Sequence, residues 1–126
     1  MITGYVTPNR EAVIHLSVLD SQGQSHDIEA IIDTGFNGFL TLPPQMAADL
    51  GLEFQGHGYS TLANGQQETF KLYAATVLLD GQLREIVVDA ADVDALVGMA
   101  LLEGFALHLQ ITNGGAVTLE LLPAVG

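Results

Sequence analysis

The chain has 126 residues and a mass of 13.3 kDa, which suits one domain spanning residues 1–126 and leaves little room for a second lobe. Three basic residues stand against 15 acidic ones, and the net charge of −12 excludes nucleic-acid and anionic-membrane binding, because either surface repels such a chain. Hydrophobic residues reach 48 % while charged residues are only 14 %, below the roughly 25 % usual for soluble domains, which excludes disorder and points to apolar surface covered by a partner, most simply a second copy.

Short strands separated by turns account for most of the chain. From Val13 to Leu19 the residues alternate, with Ile14, Leu16 and Val18 on one face and Val13, His15, Ser17 and Leu19 on the other. Ser21-Gln22-Gly23-Gln24 turns this strand into a second one through Ile28 and Ile32. Pro44 to Leu50 reads as a short helix, with proline in its first turn and Gly51 as its stop. Asn64-Gly65 sits between the strands Tyr59 to Leu62 and Thr69 to Tyr73, as a type I′ hairpin turn does. Asp80-Gly81 likewise separates Ala74 to Leu79 from Leu83 to Val88, and Asn113-Gly114-Gly115 separates Phe105 to Ile111 from Val117 to Leu122. A second short apolar helix, Gly98 to Glu103, is closed by Gly104. The expected fold is all-β, mostly antiparallel, closed or sandwiched, with one or two short helices.

Two segments carry chemistry. The apolar run Ala30-Ile31-Ile32 leads straight into Asp33-Thr34-Gly35. A carboxylate at the end of a buried strand is costly unless it is paired or protonated. The small hydroxyl residue and the glycine let the backbone turn and approach a ligand. By itself, the tripeptide reads as a plain strand-to-turn aspartate, because such tripeptides occur by chance and aspartate favours turns. The second segment, Leu96-Val97-Gly98 followed by an apolar helix, by itself reads as core strand and helix packed through glycine.

In this order and spacing, Ile31-Ile32-Asp33-Thr34-Gly35, the hairpin centred on Asn64-Gly65 and Leu96-Val97-Gly98 resemble the retropepsin-like aspartic proteases, in particular the single-lobed small bacterial branch. The resemblance spans roughly Val13 to Leu122, and the run from Phe36 to Pro43 strengthens it. It implies a retropepsin-like closed β-barrel of antiparallel hairpins and an aspartic endopeptidase without cofactor or metal, acting on peptide or protein substrates. It implies that Asp33 is catalytic. Such enzymes use two adjacent carboxylates, and this chain has one Asp-Thr-Gly, so a homodimer must supply the second Asp33. By the same matching, Thr34 bonds across the dimer axis and Gly35 lets substrate backbone lie near the dyad. Leu62, Ala63, Asn64 and Gly65 form the tip of a substrate-binding flap, and Gly98 packs beneath the Asp33 loop. The hairpin's plainer reading is a surface hairpin, and Tyr59 sits low on it for a flap-tyrosine role.

Departures from the family pattern fall at Phe36 and Met99. An aromatic at position 36 either narrows the cleft or packs into the core. Met99 stands where retroviral members often carry an arginine that supports the dimer, so another support is needed. The terminal segments Met1 to Val6 and Val117 to Leu122 are candidates for an interface sheet.

Other clusters are weaker. Asp89, Asp92 and Asp94 lack the EF-hand spacing and read as capping or loop residues. His15, His26, His57 and His108 have no metal-binding spacing and read as strand-surface or core histidines. The absence of cysteine removes disulfides, thiolate nucleophiles and Cys-based metal sites, and suits a reducing cytoplasm. No apolar run approaches the roughly 18 residues of a membrane span, and no signal peptide is evident at the N-terminus. A catalytically silent member of the fold that binds peptides, or a small β-barrel interaction protein, are the alternatives to the peptidase. Turnover that depends on Asp33 separates the peptidase from the first, and binding of a statine-type peptide separates it from the second.

Overall fold

Four glycine-containing turns set the pairing of most of the sheet. The computed structural model describes residues 1–124. Its elements run β1 (Ile2–Val6), β2 (Ala12–Leu19), β3 (Ser25–Ile32), β4 (Leu40–Leu42), α1 (Pro44–Asp49), β5 (Glu53–Thr61), β6 (Gln67–Leu79), β7 (Gln82–Ala90), β8 (Leu96–Val97), α2 (Met99–Leu102), β9 (Phe105–Leu109) and β10 (Ala116–Leu121). The expected β character and both short helices are present.

Each turn has its own chemistry. At Asp80-Gly81 both residues have positive φ, 50° and 80°, so this two-residue turn has the backbone that matches strand twist. Asn64-Gly65 differs from the type I′ expectation. Only Gly65 has positive φ there, and its N–H bonds the Leu62 carbonyl at 2.9 Å. Ala63 and Asn64 therefore occupy an ordinary turn followed by a left-handed glycine, a longer loop that Asn64 steadies by accepting the Gln66 N–H at 3.0 Å. The β2–β3 turn follows the same plan. Asp20 Oδ1 accepts the N–H groups of Gln22 at 2.8 Å and Gln24 at 2.9 Å, while its Oδ2 lies 2.7 Å from His26 Nε2. The hydrogen bond from His26, then that from Gln24, holds the Asp20 carboxyl below the usual carboxylate range.

Strand order in the single ten-stranded sheet is β5-β6-β7-β4-β8-β3-β2-β1-β10-β9. The pairings are antiparallel except β3 with β8 and β4 with β7. One further pairing, β2 with β6 through Ser17↔Leu78 and Val18↔Val77, brings the two halves of the sheet back together. The 13-residue β6 makes this reach, joining segments that the sequence suggested as two strands. Alternation on β2 buries Ile14, Leu16 and Val18 against Leu40, Val77, Val88, Val97 and Leu101. Burying each large aliphatic side chain contributes about 1.5–3 kcal/mol.

The terminal strands are used within the chain. β1 lies between β2 and β10, and β10 lies between β1 and β9. β1 meets β2 only through Gly4, Tyr5 and Val6, and β10 meets β1 only through Ala116 to Leu119, so the outer ends of both strands, at Ile2-Thr3 and Glu120-Leu121, are paired on one side. The sheet edges are β5 and β9.

The lowered Asp20 carboxyl adds stability above its unfolded value near 3.9, and this is lost as pH falls through the folded value. In urea denaturation, Asp20→Asn, which keeps the turn acceptor but not the charge, is expected to be less stable than the wild type at pH 7. The difference should shrink below about pH 4.

Candidate active site

Asp33 is the first residue beyond β3. Its placement depends on a strand distant in sequence, because β8 pairs in parallel with the end of β3 through Ile31↔Leu96 and Ile32↔Val97. The ladder extends to Asp33 itself, whose N–H donates to the Val97 carbonyl at 2.9 Å. Its carbonyl accepts the Phe36 N–H at 3.1 Å, and its Oδ1 accepts the Gly35 N–H at 2.9 Å. The backbone of the carboxylate is thus anchored on the core side while its side chain is half-buried. Thr34 and Gly35 beside it are exposed.

Gly98 closes the arrangement from beneath. Its N–H bonds the Phe39 carbonyl at 3.0 Å, Met99 N–H bonds the Phe36 carbonyl at 2.8 Å, and Ala100 N–H bonds the Gly38 carbonyl at 3.1 Å. The 36–39 loop is thereby tied to the start of α2. There is no room for a side chain at position 98: a Cβ there would collide with the Gly38 carbonyl oxygen and lie 2.6 Å from the Phe36 ring. The Phe36 ring is half-buried and lies across Gly38 and Gly98, so it serves as packing of the loop. Asp33, Thr34, Gly35 and Gly98 are therefore brought together.

Leu62, Ala63, Asn64 and Gly65 stand apart, exposed at the tip of the β5–β6 hairpin. No hydrogen bond among the described residues joins this tip to the Asp33 loop. Tyr59 is 67 % exposed and lies on β5, below the tip. A cavity of about 690 Å³ lies elsewhere, beside the β2–β3 turn and Gly51, and no residue of the Asp33 loop lines it.

Two residues near the site were not singled out for chemistry by the sequence. Asp89 belongs to β7 rather than to a loop, and it pairs in register with Thr41 of β4. Burial pushes its carboxyl above the usual range. Thr41 is buried although polar. A period-2 pattern in Leu83 to Val88 extended by one residue would have placed Asp89 on the strand. Nothing local marks Thr41.

The mostly-β fold, with a strand-end aspartate seated on a glycine-bearing second motif, is that of a retropepsin-like aspartic protease. The aspartyl protease family matches over residues 17–101, more than half of the chain, and the chain belongs to that family. The crystal structure of a retropepsin-like aspartic protease from Rickettsia conorii is similar in fold, with a TM-score of 0.56 and 17 % identity over 91 % of this chain and 86 % of that one. Among curated proteins, none matches the chain.

Because the space at position 98 is filled by neighbouring backbone, Gly98→Ala should destabilise the protein by about 1–3 kcal/mol, the range for overpacking. Chemical denaturation of the purified variant measures this directly.

Proposed function

We propose that this chain is an aspartic endopeptidase that works as a two-fold homodimer without a cofactor. The observation that carries the reading is Asp33, whose backbone N–H is tied to Val97 and whose carboxylate accepts the Gly35 N–H and is left half-exposed beside exposed Thr34 and Gly35. A chain with one Asp-Thr-Gly completes a carboxylate pair only by meeting a second copy. Exposed Met99, Leu121 and Leu122 offer apolar surface for a dimer to cover.

In such a dimer the two Asp33 carboxyls share one proton, because two adjacent like charges do not both ionise cheaply; aspartic proteases are the standard example of this behaviour. The ionised carboxylate takes a proton from a water molecule as that water attacks the substrate carbonyl carbon. The protonated carboxyl gives its proton to the carbonyl oxygen. Thr34 of each copy steadies the paired loops, and Gly35 leaves room for substrate backbone. The Leu62–Gly65 tip closes over the peptide and excludes water. Gly98 supports the loop from below and does no chemistry. The β2–β6 pairing supports reading the sheet as a closed barrel, in one domain over 1–126. The cysteine-free composition supports a cytoplasmic setting.

Cleavage of a mixed peptide library between pH 4 and 7 tests the proposal. Turnover should rise more steeply than linearly with protein concentration, be blocked by statine-type peptides and vanish in Asp33→Asn. Peptide binding that survives in Asp33→Asn, without turnover by the wild type, would make the protein a binding module instead. Each copy carries −12, so self-repulsion opposes association at neutral pH. Sedimentation should show the dimer tightening between pH 7 and pH 5, and an unchanged dissociation constant would count against the charge argument.

A further inference from the structure

Three asparagines of the chain precede glycine: Asn37, Asn64 and Asn113. In this dipeptide the glycine has no side chain to keep its nitrogen away from the asparagine side-chain carbonyl carbon, so the main chain can attack its own neighbour. All three asparagines are exposed, and access to water does not separate them. The glycine N–H does. It must lose its proton before the nitrogen attacks, and an N–H that donates a hydrogen bond has to give that bond up first.

Two of the three glycines are held. Gly65 N–H donates to the Leu62 carbonyl at 2.9 Å, and Asn64 Oδ1 is occupied by the Gln66 N–H at 3.0 Å. Gly114 N–H donates to the Val6 carbonyl at 2.9 Å, which ties that turn to the end of β1. Gly38 differs: its N–H donates to no group among the described residues, and the Asn37 side chain has no hydrogen bond among them either. The loop around this dipeptide is ordered through its carbonyls instead, at Phe36, Gly38 and Phe39, which accept the N–H groups of Met99, Ala100 and Gly98. Position 38 also needs glycine. A Cβ there would lie 2.6 Å from the Phe36 ring, and the same ring lies against Gly98. The packing that orders the loop therefore imposes the dipeptide on it.

We propose that Asn37 is a site of spontaneous deamidation, at which the Asp33 loop modifies itself. The Gly38 nitrogen loses its proton to a solvent base and forms a bond to Asn37 Cγ. The Cγ–Nδ2 bond breaks, and Nδ2 leaves as ammonia with a proton returned by the solvent. A succinimide ring remains. Water opens it at either carbonyl, giving aspartate at position 37 or isoaspartate, in which the main chain runs through Cβ and Cγ. The balance is one water consumed and one ammonia released, with no oxidant or reductant. The inference goes beyond the peptidase reading and does not rest on it.

Either product places a new carboxylate beside the Asp33 loop, in a chain already at −12. Isoaspartate does more, because it adds one methylene, about 1.5 Å, to the main chain. The addition falls between the Phe36 and Gly38 carbonyls. These are bonded at 2.8 and 3.1 Å by Met99 and Ala100, consecutive residues in the first turn of α2. Hydrogen bonds fail beyond about 3.5 Å, so the lengthened chain gives up one of the two ties. The loop is then partly released from α2, and Asp33 loses part of the support beneath it.

In the test, the full chain is incubated in mildly alkaline buffer at physiological temperature. Samples are peptide-mapped by mass spectrometry, with fragmentation that tells isoaspartate from aspartate. Asn37 should convert faster than Asn64 and Asn113 by up to about tenfold, the rate equivalent of one hydrogen bond that does not have to be broken. Asn37→Gln, whose longer side chain closes a larger ring much more slowly, should stay unmodified at that position. Aged wild type should melt below fresh wild type, whereas aged and fresh Asn37→Gln should melt alike. Fresh Asn37→Asp carries the charge without the added methylene, and should melt closer to fresh wild type than the isoaspartate-rich fraction does. Equal rates at the three asparagines, faster conversion at Asn64 or Asn113, or no conversion at Asn37 would overturn the assignment. Conversion at Asn37 with no fall in melting temperature relative to Asn37→Gln would keep the site and overturn the release of the loop. None of these readouts uses peptide turnover, so they stand or fall apart from the peptidase reading.

Discussion

The parallel contact between the end of β3 and β8 is the constraint on which the rest of the structure depends. Neighbouring parallel strands need a long crossover, and here the chain from residue 33 to 95 supplies it. Within that crossover lie β4, α1, the long β5–β6 hairpin and β7, and its two ends are joined by two paired residues per strand. The contact is extended by backbone bonds from the Asp33 loop to Val97, Met99 and Ala100. These bonds bring the two main chains so close that only hydrogen fits at position 98. A carboxylate on a loop with fewer ties would spend its binding energy on ordering the loop. Here the order is built into the folded state.

Charge is the second organising feature. A chain with three basic and 15 acidic residues meets its own copies with repulsion and meets basic peptides with attraction. The acidic groups play unlike parts. Asp20 is tied into a turn by its own backbone and His26. Asp33 stands at the surface with one oxygen occupied by Gly35. Asp89 is partly desolvated and makes no ion pair among the described residues. The same functional group thus stabilises a hairpin, stands half-exposed on an anchored loop, or sits partly desolvated in a strand, according to what surrounds it.

Much was legible in advance. Hairpin turns at Gly23, Asp80-Gly81 and Gly114 could be read because glycine alone accepts left-handed backbone at little cost, and both short helices carried a glycine at their ends. Alternation on β2 correctly placed Ile14, Leu16 and Val18 inside, whereas Val13, assigned to the opposite face, is buried as well. The loop at Asn64-Gly65 was misjudged in type, since the dipeptide does not say whether Asn64 also turns left-handed. The 13-residue β6 was read as two strands because its alternation is broken by Ala74 and Ala75, small residues that signal neither face.

What the sequence by itself determined is local: where the chain turns, which faces are apolar, and that a strand ends in Asp33-Thr34-Gly35. Each depends on residues a few positions apart, where backbone sterics and alternation leave little choice. Tertiary structure decided the rest. It spent β1 and β10 on internal pairing, laid Phe36 across Gly38 and Gly98, and set Asp89 beside Thr41 under the hairpin. Those outcomes rest on pairings between segments tens of residues apart, whose register depends on how the whole core packs.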